Sequence, residues 1–455
     1  IQFIVSLIIT RLLDPENYGI IALTSIFITI STVFVQVGLG TALVQKKEVD
    51  EIDISSVFYL SLLTAAIFYV ILFLSAPYIA LYFDIPRLSV VLRVTAITLF
   101  PGALNSVQNA VVARRMVFKK QFFSSMGAVI FSGSLGIAMA YLNYGEWALV
   151  AQQLSYQTVI CIILWFTVKW RPILKFSYKK TAGLLKYGIK IFGAKLIDTI
   201  YRNLESFVIG KKYSSEMLAY YNRGKQFPWV IIDNIDCSIQ SVMLPAFSVK
   251  QENINEVKNM VRKTISMVFP AMIGLAAIGK PLIRCLLGTK WISSVPFLQI
   301  YCLTSALIPL QTANLQAINA IGRSDVYFRL MTVKRIIGVL VLCIAVFCFK
   351  DVIAIAISCI VIEMVGVIIN IHPNKVLLNY GITEQIKDTV PNLCMAVFMG
   401  AIVYSLSYLN FSDIMTIMLQ IACGMIIYIG LSKLLKHESF KYLISNISAY
   451  LQKEG

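Results

Sequence analysis

The sequence predicts an all-α, polytopic membrane protein, and three observations support this fold class. The 455-residue chain is 58% hydrophobic and 14% charged, with a mean hydropathy of +0.77, whereas about 25% of residues are charged in soluble domains. Apolar stretches of about 20 residues recur along the chain, each long enough to cross a hydrocarbon core of about 30 Å. None alternates with period two, which favours a helical bundle over a β-barrel.

The apolar stretches predict about fourteen transmembrane helices joined by short connections. The first residue, Ile1, already lies inside an apolar stretch, so we expect a truncated first helix and a missing natural start. The predicted spans are 1–10, 18–44, 54–82, 88–112, 121–142, 147–168, 184–210, 218–246, 264–287, 295–321, 328–349, 352–371, 389–409 and 414–432.

The distribution of basic residues sets the predicted orientation. The net charge is +17, from 40 Lys and Arg against 23 Asp and Glu. If the first span leaves the cytoplasm, 26 Lys and Arg lie in or beside cytoplasmic connections and six lie in outer ones. The positive-inside rule then predicts that both termini are cytoplasmic. Membrane insertion explains the basic excess, so no nucleic-acid partner is expected.

The cysteines and histidines predict neither disulfides nor a metal site. Nine cysteines lie singly in apolar spans, without paired spacing. The two histidines, His372 and His437, lie in predicted cytoplasmic segments. Such cysteines are expected to act as small buried hydrophobic residues.

The chain repeats a short pattern at a distance of about 200 residues. Pro101, Gln108 and Arg115 follow one another at steps of seven. The same residue types recur 208 positions later, at Pro309, Gln316 and Arg323. Two weaker echoes pair residues 76–83 with 280–287 and residues 15–20 with 215–220. We therefore expect an internal duplication.

The duplication predicts how the chain is organised. Each copy holds six spans, an even number, so both copies cross the membrane in the same direction and are related by a pseudo-twofold axis along the membrane normal. Two six-helix lobes facing a central cavity follow. The predicted domains are an N-terminal lobe, a C-terminal lobe, and an appendix of the last two spans with a cytoplasmic tail, at residues 1–180, 181–385 and 386–455.

Four charged residues lie on one face of the predicted seventh helix. At about 100° per residue, Lys195, Asp198, Arg202 and Glu205 fall within an arc of about 80°. A charge facing lipid costs at least about 2.5 kcal/mol, so this charged stripe should face water or the bundle interior. The spacing allows ion pairs of Asp198 with Arg202 or Lys195, and of Arg202 with Glu205. The charged stripe therefore predicts a substrate-facing cavity wall or, alternatively, a salt-bridged packing face.

Further charges lie inside the predicted spans, and most of them are basic. A cavity with surplus positive charge suits an anion, above all a phosphate or pyrophosphate, which guanidinium groups bind bidentately. Together with the charged stripe, eight of these residues are positive and five are negative. They are Arg93, Lys190, Lys195, Arg202, Arg223, Lys225, Lys280 and Arg284, and Asp198, Glu205, Asp233, Asp236 and Glu363.

These residues supply the predicted site. The alternative for the basic residues is that their long side chains snorkel to the membrane interface, and for the carboxylates that they neutralise a neighbouring base. No catalytic residue, cofactor or metal is predicted. The predicted substrate-binding residues are Lys195, Arg202, Arg223, Arg284, Lys280 and Arg93, and the predicted sites for a coupling H⁺ or Na⁺ are Asp198, Glu205, Asp233, Asp236 and Glu363.

One segment has the spacing of a nucleotide-binding loop but lacks its chemistry. "GLAAIGKP" (Gly274 to Pro281) ends in proline, where a Ser or Thr hydroxyl is needed to bind magnesium. It also lies inside an apolar span rather than after a strand. No nucleotide-driven activity is expected, so an ion gradient or the substrate's own gradient must supply the energy.

Four segments resemble a known family. They are "RLLDPENYGIIAL" (Arg11 to Leu23), "VGLGTALVQKKEVD" (Val37 to Asp50), "YYNRGKQFP" (Tyr220 to Pro228) and "MLPAFSVKQEN" (Met243 to Asn253). Over nearly its whole length the chain resembles the Wzx-like oligosaccharide flippases, which are polysaccharide biosynthesis proteins of the multidrug/oligosaccharidyl-lipid/polysaccharide exporter superfamily. The resemblance implies a basic cavity, which Lys195, Arg202, Arg223 and Arg284 match by position.

The resemblance also implies a function. Such proteins move an undecaprenyl-pyrophosphate-linked oligosaccharide, such as an O-antigen, capsule or exopolysaccharide repeat unit, from the inner to the outer leaflet of the bacterial plasma membrane. Alternating access between the two lobes is the implied mechanism. The expected partners are the lipid-linked substrate, membrane lipids and a polysaccharide polymerase with other assembly proteins, and a monomer is expected.

Three other functions are weighed against this one. A multidrug or cation antiporter should have an acidic or aromatic cavity, which the basic excess contradicts. A flippase for the peptidoglycan precursor lipid II remains open. A membrane glycan polymerase or ligase usually carries a large outer loop, whereas the longest connection here has about 17 residues. We therefore predict a transporter rather than an enzyme.

Overall fold

All regular structure in the described part of the chain is helical. The structure, a computed structural model, describes residues 1–36, 39–46, 48–249, 258–259, 261–262, 268–409 and 411–435. No strand occurs among these residues, and the predicted all-α class is confirmed. The predicted cytoplasmic tail, which includes His437, lies outside the described residues.

The first of two compact units is Ile1–Ala219. A short 3₁₀ turn, Ala96–Thr98, separates its fifth and sixth helices. The helices of this unit are α1 (Gln2–Leu12), α2 (Pro15–Gln36), α3 (Leu39–Gln45), α4 (Glu51–Phe83), α5 (Pro86–Thr95), α6 (Leu99–Arg114), α7 (Phe118–Tyr141), α8 (Glu146–Val168), α9 (Tyr178–Lys212) and the start of α10 (Ser215–Val249).

The second compact unit is Tyr220–Gly455 and begins inside α10. Two 3₁₀ turns, Thr289–Ser294 and Leu406–Tyr408, interrupt it. Its remaining helices are α11 (Phe269–Ala277), α12 (Gly279–Leu286), α13 (Val295–Ala306), α14 (Ile308–Ala320), α15 (Ser324–Cys348), α16 (Val352–Leu377), α17 (Ile382–Ser405) and α18 (Asp413–Leu434).

Most of these helices are suited to a membrane. Ten helical stretches of the described chain are long and apolar enough to cross a bilayer, and the pair α11–α12, bent by 65°, makes an eleventh. The protein is therefore a multi-pass membrane bundle, as predicted. The three other predicted spans coincide with α1, which has 11 residues, and with α9 and α10, which have 35 residues each and a mixed composition. The count of fourteen stays a prediction.

Helix α9 packs within the first unit through its aromatic side chains. Phe192 lies 4.9 Å from Phe34 of α2, and Phe207 lies 5.4 Å from Phe83 of α4, between ring centroids. Burial of these rings supplies a large apolar contact area. The face of α9 that carries these rings is therefore fixed against α2 and α4. The predicted lobe boundary at residue 180 and the predicted pseudo-twofold arrangement stay predictions.

The connection between α8 and α9 is attached to the start of α4. The backbone N–H groups of Ile173 and Ser177 each donate a hydrogen bond of 3.0 Å, to Ser55 Oγ and Ser56 Oγ respectively. Both serines are 0% exposed. Trp170 packs beside them in the apolar core, with its ring 5.9 Å from that of Phe58. The connection is therefore held at three points.

The strongest sequence echo corresponds to similar local structure in the two units. Pro101 lies in the first turn of α6 and Pro309 in the first turn of α14, and each helix follows a break in its span. Gln108 and Gln316 are buried in these helices, with exposures of 0% and 9%. The second echo is less exact, because Pro77 lies inside the unbroken α4 whereas Pro281 lies in α12, just after the bend.

Candidate functional site

The charged stripe on α9 forms the ion pairs that its spacing predicts around Asp198. Arg202 Nε lies 3.0 Å from Asp198 Oδ2, and Lys195 Nζ lies 3.7 Å from the same oxygen. The side chain of Asp198 is 18% exposed, whereas those of Lys195 and Arg202 are 53% and 61% exposed. Glu205 is half-buried one turn further on. One carboxylate thus holds two cations that remain accessible.

An open recess lies beside these charges. It has a volume of about 500 Å³ and is lined by Ile191, Ala194, Lys195 and Asp198. Thr199, on the neighbouring face of α9, is only 5% exposed. One face of α9 is therefore packed, and the neighbouring face carries polar and apolar groups beside the open recess.

Two of the other predicted basic residues differ in their surroundings. Arg93 packs on α4, with its guanidinium 4.3 Å from the centre of the Phe73 ring and its Nε donating to the Phe73 carbonyl oxygen at 3.0 Å. A cation on an aromatic face is a stabilising packing contact. Lys280, on α12, is exposed and makes no hydrogen bond or ion pair with the described residues.

The motif Tyr220 to Pro228 builds an aromatic and cationic cluster in the second unit. The Arg223 guanidinium lies 6.0 Å from the Trp291 ring and donates to Gln226 Oε1. The Lys225 ammonium lies 4.9 Å from the Tyr301 ring, and the Tyr221 and Tyr301 hydroxyls are hydrogen-bonded. Both cations are half-buried against aromatic rings, so this motif has a packing role in addition to its charge.

Arg284 forms a bidentate ion pair with α18, a helix of the predicted C-terminal appendix. Its Nε lies 2.8 Å and 2.7 Å from the two carboxylate oxygens of Asp413, and its Nη2 also contacts Asp413. Asp413 is the first residue of α18. The side chains are 43% and 23% exposed. The pair joins the bent α11–α12 segment to α18, and the charge of Arg284 is largely compensated.

The predicted coupling carboxylates are also found in different settings. Asp233 is exposed on α10. Asp236 accepts a 2.7 Å hydrogen bond from Gln240 Nε2, while its Oδ1 is buried without a hydrogen bond to the described residues. Glu363 forms an ion pair with Lys334, whose Nζ lies 2.8 Å from Glu363 Oε2.

Several polar residues around Glu363 were not singled out from the sequence. Lys334 lies in the predicted span 328–349, ten residues inside α15, and its Nζ contacts Gln311 Oε1 at 2.9 Å. Gln311 also donates to Glu363 and accepts from Asn370 at 3.3 Å. The depth of Lys334 in an apolar helix was the signal available, because a span interior rarely holds a lysine without a partner.

These features define the class of protein. A multi-pass helical bundle with charged faces on its helices is an integral membrane protein that keeps polar surfaces within its spans. The chain belongs to the polysaccharide biosynthesis protein family, whose profile matches residues 8–296. The resemblance inferred from the sequence motifs is thereby confirmed.

Individual relatives agree with this family. The teichuronic acid biosynthesis protein TuaB of Bacillus subtilis is 25% identical over 311 residues, which cover 65% of this chain and 64% of TuaB. The succinoglycan biosynthesis transport protein ExoT of Rhizobium meliloti is 21% identical over 332 residues, which cover 72% of this chain and 67% of ExoT. The match therefore spans slightly less than two thirds of the length of TuaB.

A solved structure shares the fold. The lipid II flippase MurJ in an inward closed conformation matches with a TM-score of 0.79 at 15% sequence identity, covering 97% of this chain and 98% of that one. Because the identity is low, this match establishes only that the two proteins share a fold, and the substrate must be argued from the site.

Proposed function

We propose that the protein flips an undecaprenyl-pyrophosphate-linked oligosaccharide from the inner to the outer leaflet by alternating access. The observation that carries this proposal is the pair of accessible cationic side chains, Lys195 and Arg202, on the charged stripe of α9 in a member of a polysaccharide biosynthesis family. The names of TuaB and ExoT, which refer to teichuronic acid and succinoglycan, support a saccharide repeat unit as the cargo.

The pyrophosphate is the part of this substrate that the charged stripe fits best. Lys195 and Arg202 are exposed cations that share the carboxylate of Asp198; with Glu205 the charged stripe is neutral overall, so its accessible cationic ends, and not a net positive charge, would contact the phosphate oxygens. Arg202 has a planar guanidinium that can bind two phosphate oxygens at once. The head group would remain in water while the polyprenyl tail stays in lipid, so that no sugar hydroxyl is buried in hydrocarbon.

The remaining parts of the function follow from the same proposal. The protein acts as a monomeric transporter of the bacterial plasma membrane with both termini in the cytoplasm, and catalyses no covalent step. It works with a polymerase and other assembly proteins that consume the flipped unit. Uptake of H⁺ or Na⁺ by a carboxylate of the bundle resets it, without any other cofactor.

The test is a flipping assay on purified protein in lipid vesicles. Lys195→Ala and Arg202→Ala should each lower the rate at least about tenfold, since each removes a contact to the phosphates. Lys179→Ala serves as the matched control, because Lys179 is an exposed lysine on α9 outside the charged stripe. Unchanged flipping in both stripe variants, with normal amounts of inserted protein, would refute the anion site.

A flippase for lipid II is the second candidate. The fold match to MurJ favours it. Lipid II has the same undecaprenyl-pyrophosphate carrier, so the charged stripe does not distinguish the two candidates. Competition in the same vesicles separates the two candidates. If an oligosaccharide repeat unit on the carrier is flipped and lipid II is not, the first proposal holds, and the reverse preference supports the second.

A further inference from the structure

A series of polar side chains runs through the interior of the second unit. At one end, the Tyr301 hydroxyl is hydrogen-bonded to the Tyr221 hydroxyl and lies 3.4 Å from Cys359 Sγ. Cys359 lies on α16, four positions before Glu363, so the two residues are neighbours on one face of that helix. The hydrogen-bonded groups of α10 and α13 thus end about one helical turn from Glu363 on α16.

The middle of the series holds its charged pair. Lys334 Nζ lies 2.8 Å from Glu363 Oε2 and 2.9 Å from Gln311 Oε1. Gln311 also contacts the Glu363 carboxylate, so three helices, α14, α15 and α16, meet at this point. Lys334 lies about 15 Å from the start of α15, and Glu363 about 16 Å from the start of α16, at 1.5 Å per residue. Both positions are near the middle of membrane-spanning helices.

The series continues towards the other end of α16. Asn370 donates to Gln311 Oε1 at 3.3 Å, and Asn374, one turn further on, donates to Asn314 Oδ1 at 2.6 Å. Gln385 of α17 bonds to Asn314 at 2.8 Å. Beyond it, the Tyr380 hydroxyl donates to Asp388 at 2.7 Å, and Arg262 pairs with Asp388 at 2.9 Å.

The interval between Asn370 and Asn374 contains unsatisfied polar atoms. The Oδ1 atoms of both residues are buried and accept no hydrogen bond from the described residues, and both side chains are 0% exposed. Buried polar atoms in proteins are nearly always paired, and buried water commonly supplies the partner. The interval is thus polar enough to hold water between the charged pair and the Asn314 cluster.

We propose that Glu363 is a proton-binding site and that its pairing with Lys334 couples proton uptake to a rearrangement of α15 against α16. This inference deepens the proposed function, on which it rests, by selecting one carboxylate and naming its partner. Lys334 on α15 is the charged group in contact with Glu363. The other titratable or charged groups of the series are Cys359 on α16, Tyr301 on α13, and Tyr221 and Lys225 on α10, with Tyr380, Asp388 and Arg262 at the far end.

The coupling follows from charge balance. A proton that adds to a carboxylate oxygen of Glu363 gives a neutral acid, while the ammonium of Lys334 keeps its charge. The ion pair is then lost, and the ammonium is left with neutral acceptors, the carbonyl oxygen of the acid and Gln311 Oε1. An uncompensated charge inside a protein is unfavourable, so this packing of α14, α15 and α16 is destabilised relative to any arrangement that lets Lys334 reach water or an anion.

A structural ion pair that never changes its protonation state is the alternative. The two hypotheses predict different reactivity of the Glu363 carboxyl group towards carbodiimides. Carbodiimides react with protonated carboxylic acids in apolar surroundings, and a permanently ionised Glu363 would not be modified.

The first experiment uses the unaltered protein in vesicles with a hydrophobic carbodiimide. Peptide mass spectrometry should find Glu363 modified, at least about fivefold more at acidic than at neutral pH. Absence of modification at every pH at which the protein stays folded would overturn the proposal.

The second experiment follows the carbonyl band of protonated carboxylic acids by infrared difference spectroscopy as the pH is lowered. Glu363→Gln keeps the shape of the side chain but removes the group that can take up a proton, so it should lose one component of the band. Glu384→Gln is the matched control, because Glu384 is a paired but 51% exposed carboxylate that contacts Lys258 at 3.0 Å. A difference spectrum of Glu363→Gln identical to that of the unaltered protein would refute the inference.

Flipping measured with and without a pH gradient separates this inference from the proposed function. The gradient should change the rate at least about fivefold in the unaltered protein and leave the rate of Glu363→Gln unchanged. If the unaltered protein flips no lipid-linked glycan at all, the proposed function fails, while carbodiimide labelling and the infrared band still decide whether Glu363 binds a proton.

Discussion

At the scale of single residues, the contacts along one helix could be predicted and the contacts between helices could not. Helical spacing places Lys195 and Arg202 beside Asp198, and the structure has both pairs. The partners of Glu363 and Arg284 are Lys334 and Asp413, which lie 29 and 129 positions away in sequence. Their pairing depends on tertiary packing, which hydropathy and periodicity do not encode.

One glycine makes room for the Lys334 side chain. A Cβ atom at Gly366 would lie 2.6 Å from Gln311 Oε1 and 2.9 Å from Lys334 Cε. Gly366→Ala should therefore displace the lysine stem and the glutamine amide and destabilise the second unit by about 1–3 kcal/mol, as overpacking typically does. Thermal unfolding in detergent measures this as a lowered midpoint.

The control for this substitution is another helical glycine. Gly430, in α18, has no neighbouring atom within 4 Å of an added Cβ. Gly430→Ala should leave the midpoint unchanged or raise it slightly, because alanine favours a helix by about 1 kcal/mol over glycine. Equal midpoints for the two variants would contradict close packing at Gly366.

At the scale of helices, capping and bending account for where the elements begin and change direction. The capping box of Asp50 and Asp53 starts α4, with Asp53 Oδ2 also 2.5 Å from Lys46 Nζ. The bend of 65° between α11 and α12 follows Ala277, where a single predicted span, 264–287, becomes two helices. The apolar pattern predicts that this span exists, but it does not predict the bend.

The ion pair of Arg284 with Asp413 gives the bent segment a testable contact. If the main role of Arg284 is to join α12 to α18, then Arg284→Ala and Asp413→Ala should lower stability by similar amounts, about 1 kcal/mol for a partly exposed pair. The double variant should then cost less than the sum of the two. Thermal unfolding of all four proteins measures this coupling.

The same variants separate a structural from a substrate-binding role. The double variant Arg284→Asp with Asp413→Arg keeps an ion pair between α12 and α18 with the charges exchanged. It should flip the substrate normally if the role of Arg284 is to join these two helices. Flipping that stays lost in the exchanged protein, at normal stability, would assign Arg284 to substrate instead.

At the scale of the whole molecule, composition predicts the class and basic residues predict the orientation. Only helices or closed barrels satisfy backbone groups in lipid. Apolar stretches of about 20 residues without period-two alternation therefore predict the helical membrane bundle. The number of spans is harder to predict, since α9 and α10 carry many charges within 35 residues each. Their place in the bundle depends on which neighbours shield those charges, and sequence alone does not contain that information.

The orientation can be tested by labelling. In a protein whose native cysteines are replaced, Lys175→Cys should react with a membrane-impermeant maleimide only from the cytoplasmic side. Thr289→Cys, at an exposed position after α12, should react only from the outside. The reverse pattern would invert the topology, and the positive-inside rule would then fail for this chain.

The attachment of residues 169–177 to α4 has a mechanical consequence for α9. Because Ile173 and Ser177 are bonded to buried serines, the end of α9 at Tyr178 has a fixed origin. Lys195 lies about 26 Å further along the helix, at 1.5 Å per residue. Because Phe192 and Phe207 also hold α9 against α2 and α4 on either side of Lys195, the cationic groups would move together with those two helices rather than by tilting of α9 alone.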